Sequence, residues 1–224
     1  MKKLVIAIDG PAGAGKTTVS KTLADRLGYI YVDTGALYRG VAYEARKSGI
    51  YAHDDGNLEF ICQKLDLKFV KKESGTRLFS ADSDITDFIR TPEISMMASA
   101  VSARPVVRQA LLEIQRKMGE QKAAVFEGRD MGTVVFPNAD IKFFLTADLK
   151  ARAFRRYQEL AGIKPQPLED VEKDMKQRDE NDSTREIAPL KPANDAILID
   201  SSNIPAEAVI EKMMTHILLV AGKD

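Results

Sequence analysis

Residues 4–18 read LVIAIDGPAGAGKTT and join a short apolar run to a glycine-rich turn. The run Leu4–Ile8 is typical of a buried strand, and the residues after the turn predict the start of a helix. The turn matches the pattern G-x-x-x-x-G-K-[ST] at Gly10, Gly15, Lys16 and Thr17. In this strand-and-helix context, the pattern predicts a loop that binds the phosphates of a nucleotide.

The chemistry of the turn supports this interpretation. Glycines let the backbone bend so that successive N–H groups point inward and form a nest for an anion. The helix that follows adds its unpaired N–H groups and the positive end of its dipole. Lys16 supplies a charge for the β- and γ-phosphates, and the Thr17 hydroxyl can ligate Mg²⁺. A chance glycine-rich turn is the alternative, but it leaves the flanking strand and helix unexplained.

The composition excludes several other classes of protein. The chain has 224 residues, which suits one large domain or one domain with inserts. Lys plus Arg equals Asp plus Glu at 33 each, which argues against a nucleic-acid binder that works through general basicity. Cys62 is the single cysteine and the two histidines stand apart, so we expect no internal disulfide, zinc cluster or histidine triad.

No apolar stretch of the sequence approaches the length of a membrane span. We therefore expect a soluble, cytoplasmic protein that binds neither membrane nor nucleic acid. We also expect a monomer, although none of these observations determines the oligomeric state.

Strand, helix and strand follow one another from Leu4 to Val32, with Gly28 as the helix stop, and this order predicts a parallel α/β sheet. Short apolar runs further along the chain predict the remaining strands. The five candidate strands are Leu4–Ile8, Tyr29–Val32, Ala123–Phe126, Ile141–Leu145 and Ala196–Ile199.

The remaining segments are mostly helical, with one exception. Residues 65–79, LDLKFVKKESGTRLF, alternate apolar and polar residues on both sides of Glu73-Ser74-Gly75, which predicts a hairpin within a small inserted sheet at about 64–88. A charged helical segment at about 148–185 is broken by a stiff loop, GIKPQPLED. The other predicted helices cover about 36–48 and about 57–65, begin at Pro92 and Pro105, and begin near Pro205.

Two polar segments follow predicted strands, at the edge where open α/β sheets bind ligands. DTGALYR (33–39) ends in Arg39, whose planar guanidinium group can bind a phosphate through two N–H groups. The alternative interpretation of this segment is a turn followed by a surface helix with an exposed arginine. EGRDMGTVVFP (127–137) contains an Arg-Asp pair between Gly128 and Gly132. A structural ion pair is the alternative there.

A third polar group lies in the charged helical segment. Arg178, Asp182 and Arg185 have the spacing of one helix face, and alone they would be a solvated salt-bridge face. The preceding helix carries more arginines, at 152, 155 and 156. Together these side chains could converge on a polyphosphate and form a mobile cover for phosphoryl transfer.

These motifs closely resemble those of the bacterial cytidylate kinases, the CMP/dCMP kinases of the P-loop nucleoside monophosphate kinase group. The resemblance covers nearly the whole chain and rests on GPAGAGKTT, DTGALYR, GRDMGTVVFP and RDENDSTREIAPL, in this order. It implies a P-loop NTPase-type, five-stranded parallel sheet flanked by helices, with the small antiparallel insert in the region that binds the monophosphate and a helical lid. The single kinase domain would then have a core at about 1–33, 120–147 and 188–224, a monophosphate-binding region at about 34–119 and a lid at about 148–187.

The resemblance also implies roles for individual residues. The ATP-binding residues would be Gly10, Gly13, Ala14, Gly15, Lys16, Thr17, Thr18 and Arg155, with Thr17 on Mg²⁺. Residues that bind the acceptor nucleotide would be Asp33, Thr34, Arg39, Ser99, Arg108, Arg129, Asp130, Arg178, Asp182 and Arg185. Of these, Ser99, Arg108 and Asp130 would read cytosine, and Arg178 and Asp182 would reach the ribose. The catalytic residues would be Lys16, Arg129, Arg178 and Arg185. Relatives often have serine at the position of Thr34 and aspartate at that of Glu127.

The implied activity is transfer of the γ-phosphoryl group of ATP, with Mg²⁺, to the 5′-phosphate of CMP or dCMP. An Asp130 carboxylate fits this substrate because it accepts from the N4 amino group of cytosine, where uracil has a carbonyl. Two alternatives stay open. A kinase with the same core could act on UMP, dTMP or a non-nucleotide alcohol, and a P-loop protein could use nucleotide as a signal. The chain has no N-K-x-D element of the kind that guanine-binding switches use.

Overall fold

A computed structural model describes residues 2–72, 75–162 and 165–222. Its strands are β1 (Val5–Asp9), β2 (Ile30–Asp33), β3 (Leu67–Lys72), β4 (Gly75–Ser80), β5 (Ser83–Asp84), β6 (Ala124–Gly128), β7 (Ile141–Thr146) and β8 (Ile197–Asp200). Its α-helices are α1 (Lys16–Leu27), α2 (Thr34–Lys47), α3 (Asp55–Gln63), α4 (Pro92–Val101), α5 (Pro105–Gly119), α6 (Leu149–Leu160), α7 (Leu168–Thr184) and α8 (Ala206–Ala221). A 3₁₀ turn covers Phe88–Arg90 and a π turn covers Met131–Val135.

The central sheet has five parallel strands in the order β2-β6-β1-β7-β8. β1 lies in the middle and is buried at every position, as its apolar sequence predicts. Its last residue, Asp9, is paired with Gly128 at the end of β6. All five predicted strands are confirmed to within two residues at each end. Because the strands are parallel, the segments that follow β1, β6 and β7 leave the sheet at the same edge.

The chain divides into two compact units. The first contains the described residues up to Tyr31 and from Gln121 onward, and the second contains Val32–Glu120. In the first unit α1 and α8 contribute apolar side chains to a core with the sheet. This core includes Leu4, Ile6, Ile8, Leu23, Phe143, Met213 and Ile217. Glycine at the C-terminus of α1 is in the left-handed conformation (Gly28, φ 65°), as a helix stop requires.

The second unit packs α2 against α4 and carries a small antiparallel sheet in the order β3-β4-β5. This sheet confirms the predicted insert, although the predicted turn residues Glu73 and Ser74 lie outside the described residues. The two-residue strand β5 was not predicted. It forms through the pairing of Asp84 with Phe79 and through an ion pair between Arg77 and Asp84, and two residues are too few to show a periodicity.

Helices α6 and α7 form the charged segment of the first unit. Buried side chains at Ala153, Leu160, Val171 and Met175 hold them together, and Ala12 of the glycine-rich loop packs against this cluster. In the predicted break between the helices, Ile163 and Lys164 lie outside the described residues. No helix in the described part of the chain is long and apolar enough to cross a membrane.

Candidate active site

The loop between β1 and α1 has the backbone that an anion nest requires. Gly10, Gly13 and Gly15 all have positive φ, at 148°, 72° and 88°. A Cβ on Gly10 would lie 1.9 Å from the carbonyl oxygen of Leu145, and a Cβ on Gly13 would lie 2.9 Å from Cε of Met175. Gly15 is therefore needed for its conformation, whereas Gly10 and Gly13 are needed also for the close approach of β7 and α7.

Lys16, the first residue of α1, is buried beneath this loop. Its side-chain ammonium donates to the carbonyl of Pro11 at 2.8 Å. Burial lowers the pKa of Lys16 to about 7, and repulsion from Arg129 and Arg178 acts in the same direction, while Glu127 opposes it. Lys16 is thus a buried cation with two arginines close enough to repel it. A phosphate group would relieve that repulsion.

Thr17 and Glu127 bring together two oxygen-bearing side chains of the kind that can ligate a magnesium ion. The Thr17 hydroxyl donates to Oε1 of Glu127 at 2.8 Å, across the gap between α1 and β6. Among the described residues no group of three or more His, Cys, Asp or Glu side chains could hold a metal ion. One carboxylate and one hydroxyl nevertheless suit Mg²⁺, which binds through few protein ligands and takes phosphate and water oxygens for the rest. The sequence left the role of Glu127 open.

The Arg-Asp pair after β6 contacts the charged helical segment. Arg129 donates through Nε to Oδ2 of Asp182 at 2.8 Å, and a guanidinium nitrogen of Arg185 lies 3.6 Å from Oδ1 of Asp130. Burial acts to raise the pKa of Asp182, but Arg129 and Arg178 outweigh it and hold that pKa below its usual value. The structure therefore brings five predicted residues into one network beside Lys16. These are Arg129, Asp130, Arg178, Asp182 and Arg185.

One geometric expectation about this network is wrong. Arg178, Asp182 and Arg185 were predicted to share one helix face, but α7 ends at Thr184 and Arg185 is extended, with ψ 139°. Local bonds replace the next helical turn. Nε of Arg185 donates to the carbonyl of Ala188, and the N–H of Leu190 donates to the carbonyl of Asp182. The Arg185 side chain is directed to Asp130 by this extended segment and not by a helix face.

The three arginines of α6 differ in their surroundings. Arg152 is buried, donates to the carbonyls of Ala147 and Ala12, and pairs with Asp179 at 2.7 Å. Arg155 donates to the carbonyl of Ser201 at 2.6 Å and to its hydroxyl at 3.2 Å. Arg156 is paired with Glu159 at the surface. The predicted contact of Arg155 with ATP stays a prediction, because its described bonds all go to Ser201.

Ser201 was missed by the sequence analysis. Its buried hydroxyl donates to the carbonyl of Ala14, so it connects the end of β8 to the glycine-rich loop. Arg152 of α6 donates to the carbonyl of Ala12. Two carbonyls of the glycine-rich loop are therefore bound by side chains from α6 and from the residue that follows β8. A Ser-Ser pair after an apolar strand was the available signal, but it does not reveal the partner.

In the second unit, Asp33 and Arg39 form a pair at the start of α2. Oδ1 of Asp33 caps the helix by accepting from the N–H of Ala36 at 3.0 Å, and Oδ2 accepts from Arg39 at 2.7 Å. A Cβ on Gly35 would lie 3.1 Å from Oδ1 of Asp33 and 3.2 Å from a guanidinium nitrogen of Arg39. Gly35 therefore leaves room for the pair. Thr34 is buried in the first turn of the same helix.

The other two predicted acceptor residues of this unit are linked through Ser102. The Ser102 hydroxyl donates to the carbonyl of Ser99 at 2.7 Å, and the Ser102 carbonyl accepts from Arg108 at 3.3 Å. The Arg108 guanidinium also lies 5.9 Å from the centre of the Tyr38 ring, within the range of a cation–π contact. Ser99 and Arg108 are thus close together, with a planar cation and an aromatic ring beside them.

Asp9 is a second residue that the sequence analysis missed. It is 3% exposed, and its carboxylate accepts from the N–H groups of Met131 and Gly132. The sequence did contain a signal, because Asp9 is a charged residue at the end of an otherwise apolar strand. The partners, more than a hundred residues away, could not be identified from it.

Comparison with known proteins gives one family over nearly the whole chain. The family model described as cytidylate kinase matches residues 6–218. A protein of Geobacter sulfurreducens named cytidylate kinase is 49% identical over 211 residues, which are 94% of this chain and 91% of that protein.

Two solved structures support the fold alone. A protein from Eubacterium ventriosum has a TM-score of 0.54 at 15% identity, with 96% of this chain and 98% of that chain covered. A shikimate kinase from Bacteroides thetaiotaomicron has a TM-score of 0.50 at 12% identity, with 96% and 99% covered.

Proposed function

The chain belongs to the cytidylate kinase family, and on this basis we propose that it transfers the γ-phosphoryl group of ATP to the 5′-phosphate of CMP or dCMP. The products are ADP and CDP or dCDP. The observation that carries the proposal is the group of cations around Lys16. Burial and repulsion from Arg129 and Arg178 lower the pKa of Lys16, so the site gains most when phosphate oxygens neutralise these charges.

In this mechanism the glycine-rich loop holds the ATP phosphates through its N–H groups, with Gly10, Gly13, Ala14, Gly15, Lys16, Thr17 and Thr18 as the binding residues. A 5′-phosphate oxygen of CMP attacks the γ-phosphorus, and the bond from that phosphorus to the β–γ bridging oxygen breaks as ADP leaves. Charge develops on the transferred oxygens. Lys16, Arg129, Arg178 and Arg185 stabilise it, and no protein base is required because the acceptor phosphate is already ionised.

Mg²⁺ would neutralise charge between the β- and γ-phosphates when it is bound. Thr17 and Glu127 are the residues we propose to hold it, directly or through water. The contact between the Thr17 hydroxyl and the Glu127 carboxylate supports this assignment.

Acceptor selection is the second part of the proposal. Asp130 would accept from the cytosine amino group, with Ser99 and Arg108 as further base contacts and Arg39 on the acceptor phosphate. Thr34 and the capping residue Asp33 belong to the same helix start as Arg39. Arg178 and Asp182 would contact the ribose. The ion pair between Asp33 and Arg39 supports the assignment of Arg39 to the acceptor phosphate, because it orients the guanidinium group before any phosphate binds.

Finer parts of the proposal come from the sequence. They are the division into a core, a monophosphate-binding region and a lid, a contact of Arg155 with ATP, and a monomeric, cytoplasmic enzyme that binds no nucleic acid. Sedimentation of the purified chain would test the monomer.

The main experiment measures ADP release with a panel of nucleoside monophosphates. We expect CMP and dCMP to be preferred by at least 100-fold in kcat/KM over UMP and AMP, as for sites that hydrogen-bond a distinguishing group. Asp130→Ala should remove most of the preference over UMP. A flat profile would contradict the proposal and favour a kinase of the same fold with another acceptor.

A further inference from the structure

Asp9 has a buried carboxylate with both oxygens bound to one loop, and the mechanism above does not use it. Oδ1 accepts from the N–H of Met131 at 2.8 Å, and Oδ2 accepts from the N–H of Gly132 at 2.8 Å. Asp9 is also the residue directly before Gly10, the first glycine of the ATP-binding loop. One side chain therefore joins the start of that loop to the segment that follows β6.

The bound segment carries the two residues proposed to act on the acceptor, Arg129 and Asp130. Strand pairing cannot hold them, because the ladder between β1 and β6 ends where Asp9 pairs with Gly128. Directly beyond them the backbone enters the π turn Met131–Val135. The two hydrogen bonds that Asp9 accepts therefore attach this segment to β1 beyond the last strand pair.

Lys142 holds the same segment from β7. A Cβ on Gly132 would lie 3.1 Å from Cδ of Lys142 and 3.5 Å from Oδ2 of Asp9, so the turn is enclosed by both side chains. The Lys142 ammonium donates to the carbonyl of Pro137, beyond the turn, and to Asp195. The turn is thus bound near its start by Asp9 and near its end by Lys142.

A buried carboxylate is costly, which is why an incidental role is a poor explanation. Burial raises the pKa of Asp9 to about 6, although the N–H bonds from Gly132 and Met131 oppose the shift. Asparagine has the same size but a single acceptor oxygen, so it could satisfy one of the two N–H groups and would oppose the other with its own N–H. A carboxylate is the side chain that accepts from both at this length.

We propose that Asp9 is a positioning residue for acceptor selection, which fixes Arg129 and Asp130 relative to the ATP-binding loop through its bonds to Met131 and Gly132. The proposal rests on the function proposed above. It predicts that a side chain outside the proposed substrate contacts controls the preference for cytosine. A residue that only stabilised the sheet would instead change stability without changing the choice of base.

The test compares Asp9→Asn with Asp140→Asn by measuring KM and kcat for ATP, CMP and UMP. Asp140 is a matched control, because its Oδ2 accepts from the N–H of Val5 at 2.8 Å at the opposite end of β1, and its side chain is 12% exposed. For Asp9→Asn we expect KM for CMP to rise about tenfold and the CMP-to-UMP ratio of kcat/KM to fall about tenfold. The reason is that asparagine loses one of the two hydrogen bonds and places its own N–H against the second backbone N–H. KM for ATP should change by less than about threefold. Asp140→Asn should leave all of these values unchanged.

Gly132→Ala is a second variant that remains informative if Asp9→Asn does not fold. Gly132 lacks a positive φ, so alanine is allowed there, and the added methyl group would crowd Cδ of Lys142 at 3.1 Å beside Oδ2 of Asp9, so the contacts that enclose the turn must shift. We expect the same pattern at about threefold size, which is the cost of a small shift of the neighbouring side chain. Unchanged base preference in the variants, or equal changes of KM for ATP and CMP, would overturn the proposal. If the wild-type protein itself shows no preference for CMP, the proposed function fails, and this inference fails with it.

Discussion

The two units of the chain hold their cations in different ways. In the first unit Lys16 is buried near Arg129 and Arg178, and these like charges lower its pKa. In the second unit Arg39 forms an ion pair with Asp33, and Arg108 donates to a backbone carbonyl and lies near Tyr38. The first unit therefore contains a buried lysine whose charged form is disfavoured, whereas the second unit has arginines that are held by a carboxylate or a backbone carbonyl.

This difference indicates how each unit would contribute to catalysis. A buried lysine whose charged form is disfavoured gains binding energy from a group that brings several negative charges, and it gains most where charge develops during transfer. A partnered cation gains less from charge, but it is held in place and so acts through orientation. We expect substitutions in the first unit to reduce turnover, and substitutions in the second to weaken binding of the acceptor.

The largest expected effect is that of Lys16→Met. Turnover should fall by about 1000-fold, because the substitution removes a preorganised charge from the transferred phosphoryl group. Stability should change little, since relief of burial and of the repulsion from Arg129 and Arg178 offsets the lost bond to Pro11. ADP release and thermal unfolding measure the two effects, and Lys21→Met, an exposed position on the same helix, is the control. A variant with wild-type turnover would refute the role of Lys16.

The second prediction concerns Arg39→Ala in the other unit. KM for CMP should rise about 30-fold while kcat changes by less than about threefold, because a charge-assisted bond to a bound anion is worth about 2 kcal/mol. Steady-state kinetics with varied CMP measures this. Arg46→Ala, an exposed position near the end of α2, should behave as wild type. If Arg39→Ala lowered kcat and left KM unchanged, the contrast between the two units would be wrong.

The smallest effect expected is a change in protonation when ATP binds. Burial and the neighbouring arginines lower the pKa of Lys16 to about 7, so we expect this side chain to be largely neutral in the ligand-free protein at pH 8. Bound phosphates favour the charged form, so ATP binding should take up almost one proton at pH 8 and less as the pH falls through 7. Calorimetry in buffers of different ionisation enthalpy measures the uptake. CMP binding provides the comparison, because arginine does not titrate in this range. Equal uptake for both nucleotides, or release with ATP, would contradict the prediction.

The regular elements were predictable because their signals are local. The apolar run before Gly10 and the prolines at the first position of α4 and α5 each determine an element from a few neighbouring residues. The glycine-rich loop also defined its own chemistry, since conformation, charge and helix start all lie within nine residues, Gly10–Thr18.

The missing parts of the site depend on partners that are distant in the chain. Asp9 binds Met131 at a separation of 122 residues, and Ser201 binds Ala14 at a separation of 187. No periodicity in the sequence encodes such a pair. Arg185 was misplaced for a related reason, because its spacing fits a helix but hydrogen bonds to the segment 188–190 end the helix before it.

Gly10 and Gly28 differ in which replacements their positions can tolerate during evolution. A Cβ at Gly10 would lie only 1.9 Å from the carbonyl oxygen of Leu145 in the central sheet, whereas a Cβ at Gly28 meets nothing within 4 Å. Gly28 needs only a left-handed backbone, which asparagine also tolerates. A library of random variants selected for function should therefore recover asparagine at position 28 but glycine alone at position 10. The first glycine is fixed by the spacing of the strands, and the second by the preference of its own backbone.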